Sequence, residues 1–310
     1  MSQQEVLQHI NKLIGDITRS KGLTPQGVKR RLRGYWKNLR LAILRGTCSF
    51  SSADLLRTFR TLGIGPGDTL LVHSSLDQFG AYTGKPTDVL TVLQEAIGPS
   101  GTLLLPTLPF TDSAVEYVRG AGVFDVERTP SKMGLLTELF RRMPGVIRSI
   151  HPTHAVAIKG AAAAELASGH SEAKTPCGRG TPYARLLERS GKILFLGCDI
   201  RAMTFFHSIE ELLEPRMPFS PFTEQEYVLE SRDAQGRLWV TRTRLFDPAY
   251  SSKRNLKKLI PVLQQQGAWK EKRVSTLYIL LLQAQQVLTA CETLASRGIY
   301  CYDAERPNIY

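Results

Sequence analysis

From Ser51 onward the chain alternates between stretches with helix-like punctuation and short unbroken apolar runs. "SSADLLRTFRTLG" reads as a helix, with Ser or Asp at its head and Gly63 as its stop. "PGDTLLVHSSL" reads as turn, buried strand and polar loop. "PTDVLTVLQEAIG" is a helix, "GTLLLPTLPF" a second strand and "SKMGLLTELFRRM" another helix. "GVIRSIHPTHAVAIKG" is a strand region broken around Pro152, and "AAAAELASG" is a short helix. "GKILFLGCD" is a further buried strand that leads into the segment "TFFHSIEELLE". "EYVLESRDAQGRLWVTRTRLF" predicts a β-hairpin turning at "DAQGR", and "STLYILLLQAQQVLTACETLAS" a late helix. Strands alternating with helices predict an α/β fold around a largely buried sheet.

Ahead of this body, Val28, Leu32, Tyr35, Trp36, Leu39, Ala42 and Ile43 recur at helical spacing, with Lys29, Arg30, Arg33, Lys37 and Arg40 largely on the other side. Residues 1–47 hold ten Lys/Arg against Glu5 and Asp16, a net +8 of the chain's +12. The expectation is therefore a basic amphipathic helical extension over 1–47 and one domain over 48–310. The extension reads as a helix docked on the main domain with a solvated basic face. The alternative is a peripheral contact with anionic lipid through residues 28–45. Nucleic acid is not expected, since no motif accompanies the charge.

Cysteine usage adds a compartment. Cys48, Cys177, Cys198, Cys291 and Cys301 are odd in number and widely spaced, with no CxxC. That argues against a disulfide framework or a zinc site and fits a reducing cytosol. No basic start followed by an apolar stretch marks a signal peptide, and the apolar runs are far short of a membrane span. The expected location is cytoplasmic, with a seat at the inner membrane surface as the variant that the basic helix allows.

Several motifs of known chemistry are missing: GxSxG, HExxH, the Walker A loop and a helix-opening GxGxxG. What remains is a set of polar residues at strand ends and helix starts. His73, Ser74 and Ser75 follow the first apolar strand, where open α/β sheets hold ligands. The plain alternative is a satisfied turn. Thr107 sits between two prolines after the second strand. Thr129, Ser131 and Gly134 stand at a helix start, suited either to an anion or to an ordinary N-cap. His151 and His154 have metal-ligand spacing but no third ligand nearby, so packed histidines are the safer reading and no metal is expected. Cys177, with Arg179 nearby, reads as a bystander thiol unless a base lies close.

The helix predicted from "TFFHSIEELLE", with Thr204 as its N-cap, sets His207 and Glu210 on one face at i,i+3. Glu211, at i,i+4, competes for the same role. A helix N-terminus keeps an imidazole neutral, and a carboxylate can fix its tautomer. The alternative is an acid-rich surface helix.

Six ordered blocks then carry a resemblance: "GIGPGDTLLVHSSL", "GPSGTLLLPTLPFT", "TPSKMGLLTELF", "RSIHPTHAVAIKG", "CGRGTPYARLLERSGKILFLGC" and "TFFHSIEELL". Over about residues 50–215 the chain resembles the aminoglycoside 3-N-acetyltransferase family. The resemblance implies an α/β/α sandwich that binds acetyl-CoA, needs no metal and acetylates an amine of an amino-sugar. It implies cofactor-binding roles for His73, Ser74, Ser75, Thr107, Thr129, Ser131, Met133 and Gly134. It also places the family's His-x-x-Glu on His207 and Glu210, which chooses Glu210 over Glu211. Ala155 stands where the family often has Ser, Thr181-Pro182 where it has Ser-Pro, and "HSIE" where it has "HLAE". The implied reaction is direct acyl transfer with His207 as base, Glu210 as its partner and the Ser74–Ser75 loop as a source of oxyanion donors. An amino-sugar of cell-envelope polysaccharide, or one linked to a nucleotide, is the alternative acceptor. A non-catalytic basic module binding lipid or nucleic acid is the more distant alternative.

Overall fold

The computed structural model describes residues 46–303. The predicted basic helix over 28–45 lies outside the described residues. In chain order the elements begin with α1 (Ser52–Leu62), β1 (Thr69–Ser74), α2 (Pro86–Ile97), β2 (Thr102–Pro106) and α3 (Ala114–Gly120). Then come β3 (Phe124–Asp125), α4 (Leu135–Phe140), β4 (Ile147–Arg148), β5 (Val156–Gly160), α5 (Ala163–Ala167) and α6 (Pro182–Glu188). They continue with β6 (Lys192–Leu196), α7 (Phe206–Leu213), β7 (Phe222–Arg232), β8 (Leu238–Phe246), α8 (Pro248–Ser251) and α9 (Ile260–Gln265). The last are β9 (Lys270–Val274), β10 (Leu277–Gln283) and α10 (Ala284–Ala295).

The main sheet has the strand order β4-β5-β2-β1-β6-β10-β9. Only β2, β1 and β6 run parallel; every other pairing in it is antiparallel. Alternate residues of the strands feed two separate cores. Leu71, Leu104, Ile193, Phe195, Leu280 and Leu282 face α5, α6, α7, α9 and α10. Leu70, Val72, Leu103, Leu105, Leu194, Leu196, Ile279 and Leu281 face α1, α2 and α4. The fold is thus the α/β/α sandwich expected, with a central sheet buried on both faces.

Ser51 caps α1 in a capping box: its Oγ accepts from Asp54 N–H, and Asp54 Oδ2 accepts from Ser51 N–H at 2.9 Å. Gly63 ends α1 at φ 98°, in the left-handed region. The "DAQGR" hairpin turn is built on Asp233, whose Oδ1 accepts the N–H groups of Gln235 and Arg237. The hairpin β7–β8 joins β3 in a separate three-stranded sheet.

Two readings need correction. The late helix begins only at Ala284; "LYILLLQ" before it is β10, and β9 forms a hairpin with it. A helical turn would scatter these residues around an axis. A strand sends Leu277, Ile279 and Leu281 to one core and Leu280 and Leu282 to the other. Each buried side chain of this size is worth about 1.5–3 kcal/mol, which outweighs helix propensity. Second, Thr204 does not cap α7 through its side chain: Phe205 is the cap residue, and Thr204 contributes only its carbonyl, to His207 N–H.

Gly160, at the end of β5, shows a position only glycine tolerates. It sits at φ 134°, and a Cβ there would lie 2.1 Å from the Gly101 carbonyl oxygen. No helix among the described residues is long and apolar enough to cross a membrane.

Candidate active site

The connection after β6 delivers α7 with His207 in its first turn. The ring of His207 packs on Phe246, with centroids 4.3 Å apart, and meets His154 edge-on at 5.8 Å. One helical turn on, Glu210 is 1% exposed, and its Oε2 stands 2.7 Å from His207 Nδ1. A carboxylate in that position takes the Nδ1–H, so Nε2 of His207 is left as the proton acceptor.

Glu210 is itself held by further partners. Arg254 donates from Nε to Oε1 at 2.6 Å and from Nη2 to Oε2 at 3.1 Å. The Tyr302 hydroxyl donates to Oε1 as well. Burial works to raise the Glu210 pKa, but Arg254 and His207 outweigh it and hold the carboxyl below its ordinary range. His207 is lowered by burial first and by Arg254 next, against the opposing pull of Glu210. The group is therefore an ionised Glu210–Arg254 pair carrying a neutral imidazole, which is what a general base needs at neutral pH. Arg254 and Tyr302 lie 44 and 92 residues from Glu210. No local spacing in the sequence points to either.

His207 opens on a cleft of about 620 Å³. Its walls include Phe110, Asp112, Glu116, Met133, His154, Arg201 and Phe246. Of the eight residues expected to bind a cofactor, only Met133 lies on this wall. Ser74 ends β1, and Ser75 N–H donates to the Leu196 carbonyl at 2.9 Å, so both stand at the carboxyl end of the parallel strands. His73 lies within β1, stacked on Phe195 at 5.3 Å, and its sealed Nε2 has no partner. Burial drives its pKa down to about 3.

Thr107 has to be reassigned. It is fully buried, its Oγ1 donates to the Ala155 carbonyl, and it accepts from Arg148 Nε, which leaves it no surface for a ligand. Thr129 is not at a helix start: its Oγ1 accepts from Asp125 N–H within a turn, and α4 begins only after Gly134. Ser131 shares a hydrogen bond with Thr137 and accepts from Met133 N–H, so it braces the loop that presents Met133. Gly134 sits at φ 103°, the kink that lets this loop turn into α4.

The other candidates separate cleanly. Glu211 turns away from His207 to a loop, where Thr175 Oγ1 donates to it. Gly178 lies so close that a Cβ there would stand 1.9 Å from the Glu211 carboxylate. Cys177 is fully buried, and burial pushes its thiol pKa well up, as a bystander would have it. His151 and His154 are packed and hydrogen-bonded: His151 Nδ1 accepts from Thr153 N–H and His154 N–H. No group of three or more metal-ligating side chains occurs among the described residues. Two further acids, Asp112 and Glu116, reach the cleft.

Comparison with known proteins gives this arrangement a setting. Residues 71–295 match a family model described as aminoglycoside 3-N-acetyltransferase. The match continues well past residue 220, across the hairpin and Arg254. The chain is 34% identical over 173 residues to aminoglycoside N(3)-acetyltransferase VII of Streptomyces paromomycinus, covering 52% of this chain and 60% of that protein. It therefore spans somewhat less than two thirds of such curated relatives. It superposes on the crystal structure of aminoglycoside acetyltransferase AAC(3)-Xa with a TM-score of 0.69 and 26% identity, over 82% of this chain and 95% of the other. AAC-IIIb in its binary complex with CoASH shares the fold, with a TM-score of 0.67 at 20% identity, over 82% of this chain and 99% of that one.

Proposed function

The chain belongs to the aminoglycoside 3-N-acetyltransferase family, and on that premise we propose that it acetylates an amine of an aminoglycoside-type amino-sugar, with acetyl-CoA as donor. The observation that carries the reading is the buried Glu210–Arg254 pair holding His207 on the cleft wall. That pair gives a neutral imidazole of fixed tautomer beside a space large enough for an acceptor sugar.

Acetyl-CoA supplies an activated acetyl carbonyl when bound. The residues around the cleft suit such a molecule: Thr111, Ser113, Ser251 and Ser252 offer hydroxyls, and Arg201, paired with Asp199, a guanidinium whose remaining N–H groups can meet phosphate. The acceptor amine arrives as an ammonium. Nε2 of His207 takes its proton, which frees the lone pair to form a C–N bond to the acetyl carbon; the C–S bond breaks, the CoA thiolate leaves and takes up the proton held by His207, and the nitrogen's surplus proton passes to solvent. Glu210 keeps Nδ1–H in place and offsets the positive charge that the ring acquires. Asp112 and Glu116 on the same wall favour a polycationic acceptor.

The test is a thiol-release assay with acetyl-CoA against a panel of aminoglycosides and monoamino sugars, with products weighed by mass spectrometry. The reading requires acetyl-CoA-dependent gain of one acetyl group on an aminoglycoside amine. Thiol release no faster than the uncatalysed background with every acceptor would overturn it.

A further inference from the structure

The described residues contain five histidines; His73, His151, His154 and His170 are buried, and His207 is partly exposed. Their ring nitrogens are not equivalent. His170 uses both: Nδ1 pairs with Ser149 Oγ at 2.8 Å and Nε2 with the Pro176 carbonyl at 3.0 Å. His73 and His151 each have an Nε2 that is sealed inside the protein. Only His207 and His154 line the cleft, and in neither is Nε2 bonded to a protein group among the described residues.

The contacts around Thr153 favour one tautomer of His154. His151 Nδ1 accepts two backbone N–H groups, so it carries no hydrogen. Thr153 Oγ1 contacts both His151 Nδ1, at 3.3 Å, and His154 Nδ1, at 2.9 Å. Thr153 carries one hydrogen, so both contacts are bonds only when it points to His151 Nδ1 and His154 Nδ1 donates to Thr153 Oγ1. In that arrangement His154 Nε2 is an acceptor, the same state that Glu210 imposes on His207.

Two neutral acceptors thus border one cleft, on rings set perpendicular with centroids 5.8 Å apart. Phe110 and Phe246 lie against the His154 ring at 5.6 and 5.7 Å and hold its plane. Burial, with His207 next, keeps its pKa well below the usual value, so it does not repel a cation.

We propose that His154 is a substrate-positioning residue: its Nε2 accepts a hydrogen bond from a second amine of the acceptor while His207 serves the reacting one. This makes the preferred acceptor a diamino- or polyamino-sugar, and it rests on the reading given under Proposed function. A hydrogen bond from a charged donor to a buried acceptor is worth about 1.5–3 kcal/mol, or roughly ten- to one-hundredfold in affinity.

The experiment uses the full chain and its His154→Ala and His154→Gln variants, with sisomicin and derivatives in which one of the other amines is acetylated. Folding of each variant is checked by thermal melting, and binding to sisomicin is measured by calorimetry independently of turnover. The expected result is a ten- to one-hundredfold rise in KM and Kd for sisomicin in His154→Ala, with kcat within a few-fold and partial rescue in His154→Gln. One monoacetylated derivative should bind the wild-type chain more weakly by a similar factor and should lose little more in His154→Ala. Unchanged KM and Kd in a folded His154→Ala chain, or a loss confined to kcat, would overturn the proposal. Should wild-type turnover be absent while sisomicin binding depends on His154, the catalytic reading fails and the positioning role survives.

Discussion

Arg254 and Glu210 form a two-point ion pair, with contacts of 2.6 and 3.1 Å, in which the arginine also lines the cleft that His207 faces. Glu210 is 1% exposed and the Arg254 side chain 16%. The pair explains how a glutamate can stay ionised in a core and still orient an imidazole.

Removing one partner leaves the other charge buried and uncompensated, at a typical cost of about 3–5 kcal/mol. Arg254→Met and Glu210→Gln should therefore each lower the melting temperature by many degrees. The double variant should melt higher than the sum of the two losses implies. Additive losses in denaturant titration would mean that the two charges do not depend on each other.

Activity should follow deprotonation of His207. Burial and Arg254 lower its pKa from 6.5, so the acidic limb of kcat/KM against pH should lie below 6.5 and the profile should be flat at neutral pH. Removing the Arg254 cation removes a group that disfavours imidazolium. In any folded Arg254 variant the limb should move to higher pH, which a pH–rate profile reads directly.

Buried neutral histidines should make the fold acid-labile. Burial takes His73 from 6.5 to about 3 and His170 from 6.5 to about 4. The unfolded chain binds these protons near pH 6.5 and the folded chain does not. Stability is then fully present above 6.5 and declines as the pH falls from there towards the folded values, by about 1.4 kcal/mol per pH unit for each such histidine. His73→Phe, which keeps a ring against Phe195, should flatten part of that slope between pH 6 and 4. Melting curves across that range would detect it.

The thiols should divide by burial. Cys48 and Cys198 are partly exposed, whereas Cys177, Cys291 and Cys301 are buried. An aromatic disulfide reagent should label no more than two thiols in the native protein and all five after denaturation. Cys177→Ala should retain turnover within a few-fold, since its buried thiol is pushed well above the range in which a thiolate forms.

Much of this was legible in the sequence where the signal was local. The Ser51 cap, the Gly63 stop and the Asp233 turn are each written within a few residues. The His207–Glu210 spacing is local too, although the geometry that turns Glu211 aside depends on Thr175 and Gly178, over thirty residues away. The strand β10 cannot be told from a helix in the sequence, because an unbroken apolar run has no period to separate the two. Thr107 and His73 looked like site residues because they stand at or near strand ends; whether such a residue faces a cleft or the core depends on neighbours from other segments. Arg254 and Tyr302 emerge only when distant stretches meet.

The most direct test of the central claim is acetyl transfer from acetyl-CoA to an aminoglycoside by the wild-type chain and by His207→Ala, both verified as folded. The account predicts wild-type turnover and a loss in kcat of about two to four powers of ten in the variant, the usual size of a missing general base. A folded His207→Ala chain that turns over at a near wild-type rate would contradict it.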